Sequence, residues 1–417
     1  MTNINSLSLE QVTHDQLLHL MTIILDLGHS MMIRGGVGIG KTYSVSRYAE
    51  IHAAKMKRRL LVWVDLPVED RIALAHNQPI KRMVTEQGEQ VEKDFYLKDV
   101  YILALFDTLN KLPEDTCGIP MPNNGFVEWK PPLLFWVLSR PKAAGVLFLD
   151  ELLQAQQMVQ KPLADLFLNK QISDIRLAED VSVVGASNEQ TDKCGTTEML
   201  PHMKNRMSHV VLQPPEAKSW VSFMQAQDKK DENGNIIKTR IDPRIIMLIM
   251  SCPDQLYQPI NNRSSDAYPT PRSWDILSDL IRDIDHEKDK ETFLILVASR
   301  VGNGAAAKFQ DVLNHDMATH GPAMLKDPDL YRKAEWDRKV AFTMWLSGHS
   351  RNNRKFLQSA CKFLDDLGGD SMLDTMLYMM KSTVGAPFIR ELSGTNQYPN
   401  ARDALLDMAK AVGSLSE

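Results

Sequence analysis

The sequence is poor in most features that would set it apart from an ordinary globular protein. Cysteine is scarce: Cys117, Cys194, Cys252 and Cys361 are the four in 417 residues, and none forms a C-x-x-C pair. That spacing excludes a disulfide framework and argues against a zinc site, so reduced thiols in a cytoplasmic setting are expected. Long apolar runs are missing too. The longest are interrupted by His19, Asp26, Asp150 or Arg300, and none reaches the roughly 20 residues that span a bilayer. The chain opens without a basic stretch ahead of an apolar one, so no secretory signal is expected. There is no basic tract interleaved with aromatics. With 48 Lys and Arg against 53 Asp and Glu, the formal net charge is −5, which is not the balance of a generic nucleic-acid or membrane binder. Internal repeats and low-complexity segments are absent.

What is present fits a soluble globular protein of more than one domain. Hydrophobic residues make up 43% and charged residues 24% of the chain, both ordinary values. The length exceeds a single typical core and implies two or three domains. The 22 methionines read first as core filler, and second as an adaptable surface for a partner.

The chain is organised around Gly35-Gly36-Val37-Gly38-Ile39-Gly40-Lys41-Thr42, a G-x-x-x-x-G-K-T octet of the kind that binds phosphates. Glycines let the backbone wrap a polyphosphate with its N–H groups turned inward, and the following helix points its positive end at the same anion. Lys41 is placed to reach the β- and γ-phosphates and Thr42 to hold Mg²⁺. The flanks agree. Met31-Met32-Ile33 reads as a buried parallel strand, and Tyr43 to Met56, free of Pro and Gly, reads as a helix.

A second strand is expected at Leu60 to Asp65, and a helical stretch near Val100 to Asn110. Residues 111–132 carry Pro113, Gly118, Pro120, Pro122, Gly125, Pro131 and Pro132 and read as a long loop, a feature that is often functional. Leu133 to Ser139 reads as a short helix. Gly145-Val146-Leu147-Phe148-Leu149-Asp150-Glu151 follows. This apolar strand ends in two carboxylates where ligands bind in open α/β sheets: Asp150 to hold Mg²⁺, Glu151 to polarise the attacking water. Residues 152–170 read as a helix. Ile172 to Leu177 and Val181 to Ala186 read as strands around the turn Ala178-Glu179-Asp180. The second strand ends at Asn188, whose amide suits contact with both a γ-phosphate and a water. Arg206 precedes the strand Val210-Val211-Leu212 and is a candidate to reach a neighbouring subunit's nucleotide. After Pro214-Pro215 the chain reads as helices. A polar turn is expected at Asp228 to Asn235, a helix entry at Tyr268 to Trp274 that fixes Arg272 beside Pro271, and turns at Gly302–Gly304, Gly348 and Gly368-Gly369.

Taken in order, these motifs resemble those of AAA+ ATPases. Gly118-Ile119-Pro120, Trp129-Lys130-Pro131-Pro132, Leu147 to Glu151, Ala186-Ser187-Asn188-Glu189, Asn205-Arg206 and Thr270-Pro271-Arg272-Ser273-Trp274 look like the MoxR-like branch, over roughly residues 15–310. The resemblance implies an α/β fold, an αβα P-loop NTPase core with a parallel sheet (1–215), followed by a helical lid (216–285); the remainder (286–417) reads from the chain itself as a C-terminal helical region. It also implies a homo-hexamer and a hairpin before the sensor strand near 171–186. Residue by residue, it makes Lys41 and Thr42 ligands of ATP and Mg²⁺, and Asp150 the metal-associated acid. Glu151 becomes the water activator, Asn188 the first sensor, Arg206 a finger acting in trans and Arg272 the second sensor. The implied activity is ATP hydrolysis driving remodelling of a protein client, with a von Willebrand factor A domain protein as the implied partner. Three departures stand out: the loop lacks the family's usual Pro, Met207 follows Arg206 where an aromatic is usual, and residues beyond about 310 are not covered. A nucleic-acid motor and a chelatase-type ATPase subunit are the competing readings. The octet itself reads phosphates and does not separate ATP from GTP.

Overall fold

The computed structural model describes residues 11–86, 89–188, 199, 201–227, 229–230, 236–258, 267–284, 289–314, 317–334, 336–350, 353–381 and 385–413. Cys194, Glu189 and all but Lys229 and Lys230 of the expected polar turn lie outside these residues. The chain divides into two compact units, Met1–Pro215 and Glu216–Glu417.

The first unit holds a sheet of seven strands: β1 (Gln11–Val12), β2 (Met31–Arg34), β3 (Arg59–Val62), β4 (Val100–Asp107), β5 (Gly145–Asp150), β6 (Val181–Ser187) and β7 (Ser208–Leu212). Their spatial order is β1-β7-β2-β6-β5-β4-β3, and every neighbouring pair is parallel. The central strands are unbroken apolar runs because helices cover both faces. Met31 to Ile33, Val146 to Leu149 and Val181 to Ser187 are all buried, and each large apolar side chain among them contributes about 1.5–3 kcal/mol. Alternation along each strand sorts the two layers. Met32, Ile102, Ala104, Leu147, Leu149 and Val183 share a core with α3 (Val68–Ala75), α4 (Leu133–Ser139) and α5 (Gln157–Asn169). The opposite face is covered by α1 (His14–Asp26) and α2 (Lys41–Lys55), which pack on each other. A capping box opens α1: the Thr13 hydroxyl accepts from Gln16 N, and Thr13 N donates to the Gln16 side chain.

Several elements depart from the sequence expectation. Val100–Asp107 is a buried strand between β5 and β3 rather than a helix. Its run of apolar residues has no periodicity to separate strand from helix, and burial on both faces decides for the strand. The strand expected at Leu60 to Asp65 ends at Val62 and tightens into a 3₁₀ turn, Trp63–Asp65. The helix expected across 152–170 begins only at Gln157. Residues 111–132 are not a loop throughout. A helical turn, Glu114–Cys117, leads into an antiparallel hairpin, Ile119–Asn123 with Phe126–Lys130. At its tip Asn124 and Gly125 both have positive φ (49° and 83°), the pattern of a type I′ turn. The hairpin expected over 171–186 is smaller: Gln171–Ile172 pairs with Ile175–Arg176. The strand after it joins the main sheet instead, between β5 and β2.

The second unit is helical apart from a short antiparallel pair, Lys229–Lys230 with Ile236–Lys238. One core gathers Trp220, Ile245, Leu248, Trp274 and Leu277 with Phe293, Val297 and Phe309. These come from α6 (Ala217–Ala226), α7 (Pro243–Ser251), α8 (Pro271–Ile281) and α9 (Lys290–Asn314). Trp274 is fully buried, and its indole N–H donates to Gln255 O at 2.7 Å. α9 breaks at Gly302 (φ 83°), where a Cβ would lie 2.3 Å from Ala267 O. A further core between Met324 and Leu405 joins Phe342, Phe363, Met376 and Phe388. Gly348 does not turn the chain but lies inside the helix Trp336–Ser350. Gly368 does end one, capping Arg354–Leu367 at φ 59°.

Candidate functional site

The octet forms the connection from β2 to α2 at the carboxyl edge of the sheet. Gly35 is glycine for lack of room: a Cβ there would meet Leu212 O at 2.6 Å and Ile39 Cδ1 at 2.8 Å. α2 starts without a side-chain cap, its N-cap Gly40 standing at φ 100°. The first N–H groups of α2 thus face the loop at the positive end of the helix dipole.

Lys41 is buried, only 8% exposed. Its Nζ donates to Gly35 O, Gly36 O and Asn188 Oδ1, each at 2.8 Å. An ammonium is tolerated inside a protein when its donors are matched in this way. The third bond brings Asn188, at the end of β6, to the loop from 147 residues away. The Thr42 hydroxyl stands 3.4 Å from Asp150 Oδ2, bridging 108 residues. Asp150 is held in turn: its Oδ1 accepts from Glu151 N at 2.9 Å, and its carbonyl accepts from the Thr108 hydroxyl at 2.7 Å and Thr108 N at 3.0 Å. Glu151 sits at φ 55°, left-handed backbone that costs energy outside glycine and is common at functional sites. Thr42 and Asp150 present two hard oxygen donors close together, a donor set that fits Mg²⁺ completed by phosphate and water.

The structure therefore brings Lys41, Thr42, Asp150 and Asn188 together, with Glu151 adjacent to Asp150 in the chain. It does not bring Arg206 to them. Arg206 lies two residues before β7, whose first residue Ser208 pairs with Met31 at the amino end of β2, whereas the loop follows the carboxyl end. Arg272 belongs to the second unit and is exposed in the first turn of α8. Thr270 caps that turn by accepting from Ser273 N at 3.0 Å.

Two contributors have no sequence signal. His14 Nε2 donates to Ile39 O at 2.8 Å, and its ring stands 3.1 Å from the position of a Cβ on Gly40. Burial lowers its pKa, against the raising pull of the Ile39 carbonyl and Asp15. Thr108, fully buried, is the other. Both lie far along the chain from the motif they support, so only the fold reveals them.

A parallel sheet with this octet between its strand and helix defines a P-loop nucleotide-binding fold of the α/β class. No protein-family model matches the chain, and no curated protein does. Solved structures do. A mutant of RuvB from Thermotoga maritima shares 14% identity over 78% of this chain and 79% of its own, at a TM-score of 0.30. NtrX from Brucella abortus in complex with ATP shares 14% over 88% of this chain and 68% of its own, at 0.33. The ORC2 protein of Aeropyrum pernix, in ADPNP-ADP complexes, shares 10% over 96% and 94%, at 0.29. Likenesses at such TM-scores carry no functional weight, and the fold assignment rests on the strand order and the loop.

Proposed function

We propose that this chain is a Mg²⁺-dependent ATPase of the AAA+ class, of the MoxR-like branch. It would act as a ring, a homo-hexamer, that remodels or activates a protein client, with a von Willebrand factor A domain protein as the partner the resemblance points to. The observation that carries the reading is the meeting of Lys41, Thr42, Asp150 and Asn188 at one edge of the sheet. Lys41 binds the terminal phosphates and neutralises charge that develops in phosphoryl transfer. Thr42 and Asp150 would hold Mg²⁺, which supplies further neutralisation when bound. Glu151 takes the water's proton, and Asn188 orients that water from the position where it now meets Lys41. Arg206 serves the neighbouring subunit's nucleotide and Arg272 senses it from the helical region. The hairpin Ile119–Lys130 and the small hairpin at 171–176 engage the client. The small hairpin adjoins the helical turn that leads into the larger one, the Ser173 hydroxyl donating to Cys117 O at 3.0 Å.

Glu151→Gln tests the reading, because it removes the base while leaving the phosphate loop intact. Steady-state ATP turnover should fall by on the order of a hundredfold or more, while the affinity for ATP with Mg²⁺, read by titration calorimetry, stays within about threefold of the parent. Parental turnover in this variant would refute the assignment.

A further inference from the structure

The arginine assigned to a neighbour's nucleotide is not a loose surface side chain. Arg206 Nη1 donates to Ala164 O at 2.9 Å and stands 3.5 Å from Asp165 Oδ1. Asp165 Oδ1 also accepts from Asn169 Nδ2 at 2.7 Å, which fixes the carboxylate on the surface of α5. Arg206 cannot serve the loop of its own chain. The five residues of β7 separate it from the carboxyl edge, a span of roughly 13 Å at about 3.3 Å per strand step, and its guanidinium is turned onto α5. The Arg206–Asp165 pair is 28% and 44% exposed, so it is screened and contributes little stability. A pair that does little for stability yet fixes one end of a guanidinium is better explained by where it aims the rest.

We infer that Asp165 is a positioning residue for the trans-acting Arg206. Together with the Ala164 carbonyl it takes the Nη1 end of the guanidinium. With Nη1 held in this way, the rest of the guanidinium is what Arg206 offers to the phosphates of the next subunit. The anchor is also placed to couple sites. α5 begins at Gln157, six residues after Glu151, and ends at Asn169 beyond the arginine's anchor. One helix therefore joins the water-activating turn of one site to the arginine offered to another. The inference rests on the reading of Arg206 as a finger acting in trans.

The test uses the full-length protein and three variants: Asp165→Asn, Asp165→Ala and Arg206→Ala. Both Asp165 variants should lower kcat by on the order of tenfold to a hundredfold, the usual cost of a misplaced group. KM for ATP should stay within about twofold and the unfolding midpoint should not move. Asp165→Asn, which retains an oxygen acceptor, should lose less than Asp165→Ala. The decisive arm mixes Asp165→Ala with Glu151→Gln protomers. The first keeps an intact Glu151 and the second an intact Asp165–Arg206 pair, so turnover of the mixture should exceed the sum of the two alone. If the Asp165 variants turn over like the parent while Arg206→Ala does not, this inference fails and the trans reading stands. If Arg206→Ala is unaffected, the trans reading fails and takes the inference with it. Loss in the Asp165 variants without any gain on mixing would place Asp165's effect inside its own subunit and overturn the inference.

Discussion

An ammonium inside a protein needs an acceptor for each proton, and at Lys41 two loop carbonyls and the Asn188 amide oxygen provide them. Each such bond to a charged group is worth roughly 1.5–3 kcal/mol, so the loop and the end of β6 are tied by one side chain. His14 holds the other flank of the loop through Ile39 O, and its protonation has a sign that can be worked out. Burial lowers the pKa of His14, as it does that of His52 on α2, where Asp26 opposes the shift and Lys55 adds to it. The unfolded chain takes up these protons near the ordinary value of 6.5, and the folded chain only at lower pH. The stability they contribute is therefore complete above that value and is lost as pH falls below it toward the folded values. The unfolding midpoint should drop between about pH 7.5 and pH 5.5, within the range where histidine titrates. His14→Gln, whose amide still donates to Ile39 O, should drop less over the same interval in thermal melts. An equal slope in parent and variant would show that His14 does not titrate in this way.

At the scale of elements, the hairpin Ile119–Lys130 is anomalous because it hides so little. Phe126 is 79% exposed and Val127 67%, with Ile119 and Met121 about half exposed. On the proposed reading, these apolar side chains held out on a defined hairpin are the surface that meets the client. Phe126→Ser with Val127→Ser should leave the unfolding midpoint unchanged, surface substitutions being usually within about 0.5 kcal/mol. It should remove the client-dependent part of ATP turnover, measured with and without client, and a client response that survives the double substitution would remove the hairpin from the interface. This element also shows where sequence reading stops. Pro120 and Pro122 pointed to a loop, yet they pair with Trp129 and Val127. Prolines at alternate positions turn both missing donors to the outer edge of a two-stranded ribbon, where no partner needs them. β4 was hidden for another reason, since an unbroken apolar run carries no period. By contrast, the helix Leu133–Ser139 and the strand and helix flanking the octet were legible, because each has its own local punctuation: a proline, a glycine turn or a lysine-threonine start. Of the site, Lys41, Thr42, Asp150 and Asn188 were readable from motif order. His14, Thr108 and Asp165 were not, because their contacts with the loop, Asp150 and Arg206 arise only from the fold.

For the molecule as a whole, the polarity of the sheet sets what one subunit can do alone. The phosphate loop, Asp150 and Asn188 lie at the carboxyl edge, and Arg206 lies at the amino edge, anchored to α5. On the proposed trans role of Arg206, an isolated subunit would lack that arginine at its own site, a contribution worth on the order of 10³–10⁵ in rate where a finger operates. The expected consequence is a turnover number that depends on protein concentration. At saturating ATP with Mg²⁺, the rate per subunit should be low in dilute solution. It should rise as subunits associate and level off once assembly is complete, with the midpoint matching the association midpoint seen by light scattering. Arg206→Ala should associate over the same concentrations, since its loss exposes no apolar surface, yet show no rise in rate per subunit. A rate per subunit that stays constant from the dilute to the associated range would mean that each chain completes its own site. Catalysis would then have to draw its last positive charge from within the chain, with Arg272 in the helical region as the next residue to test.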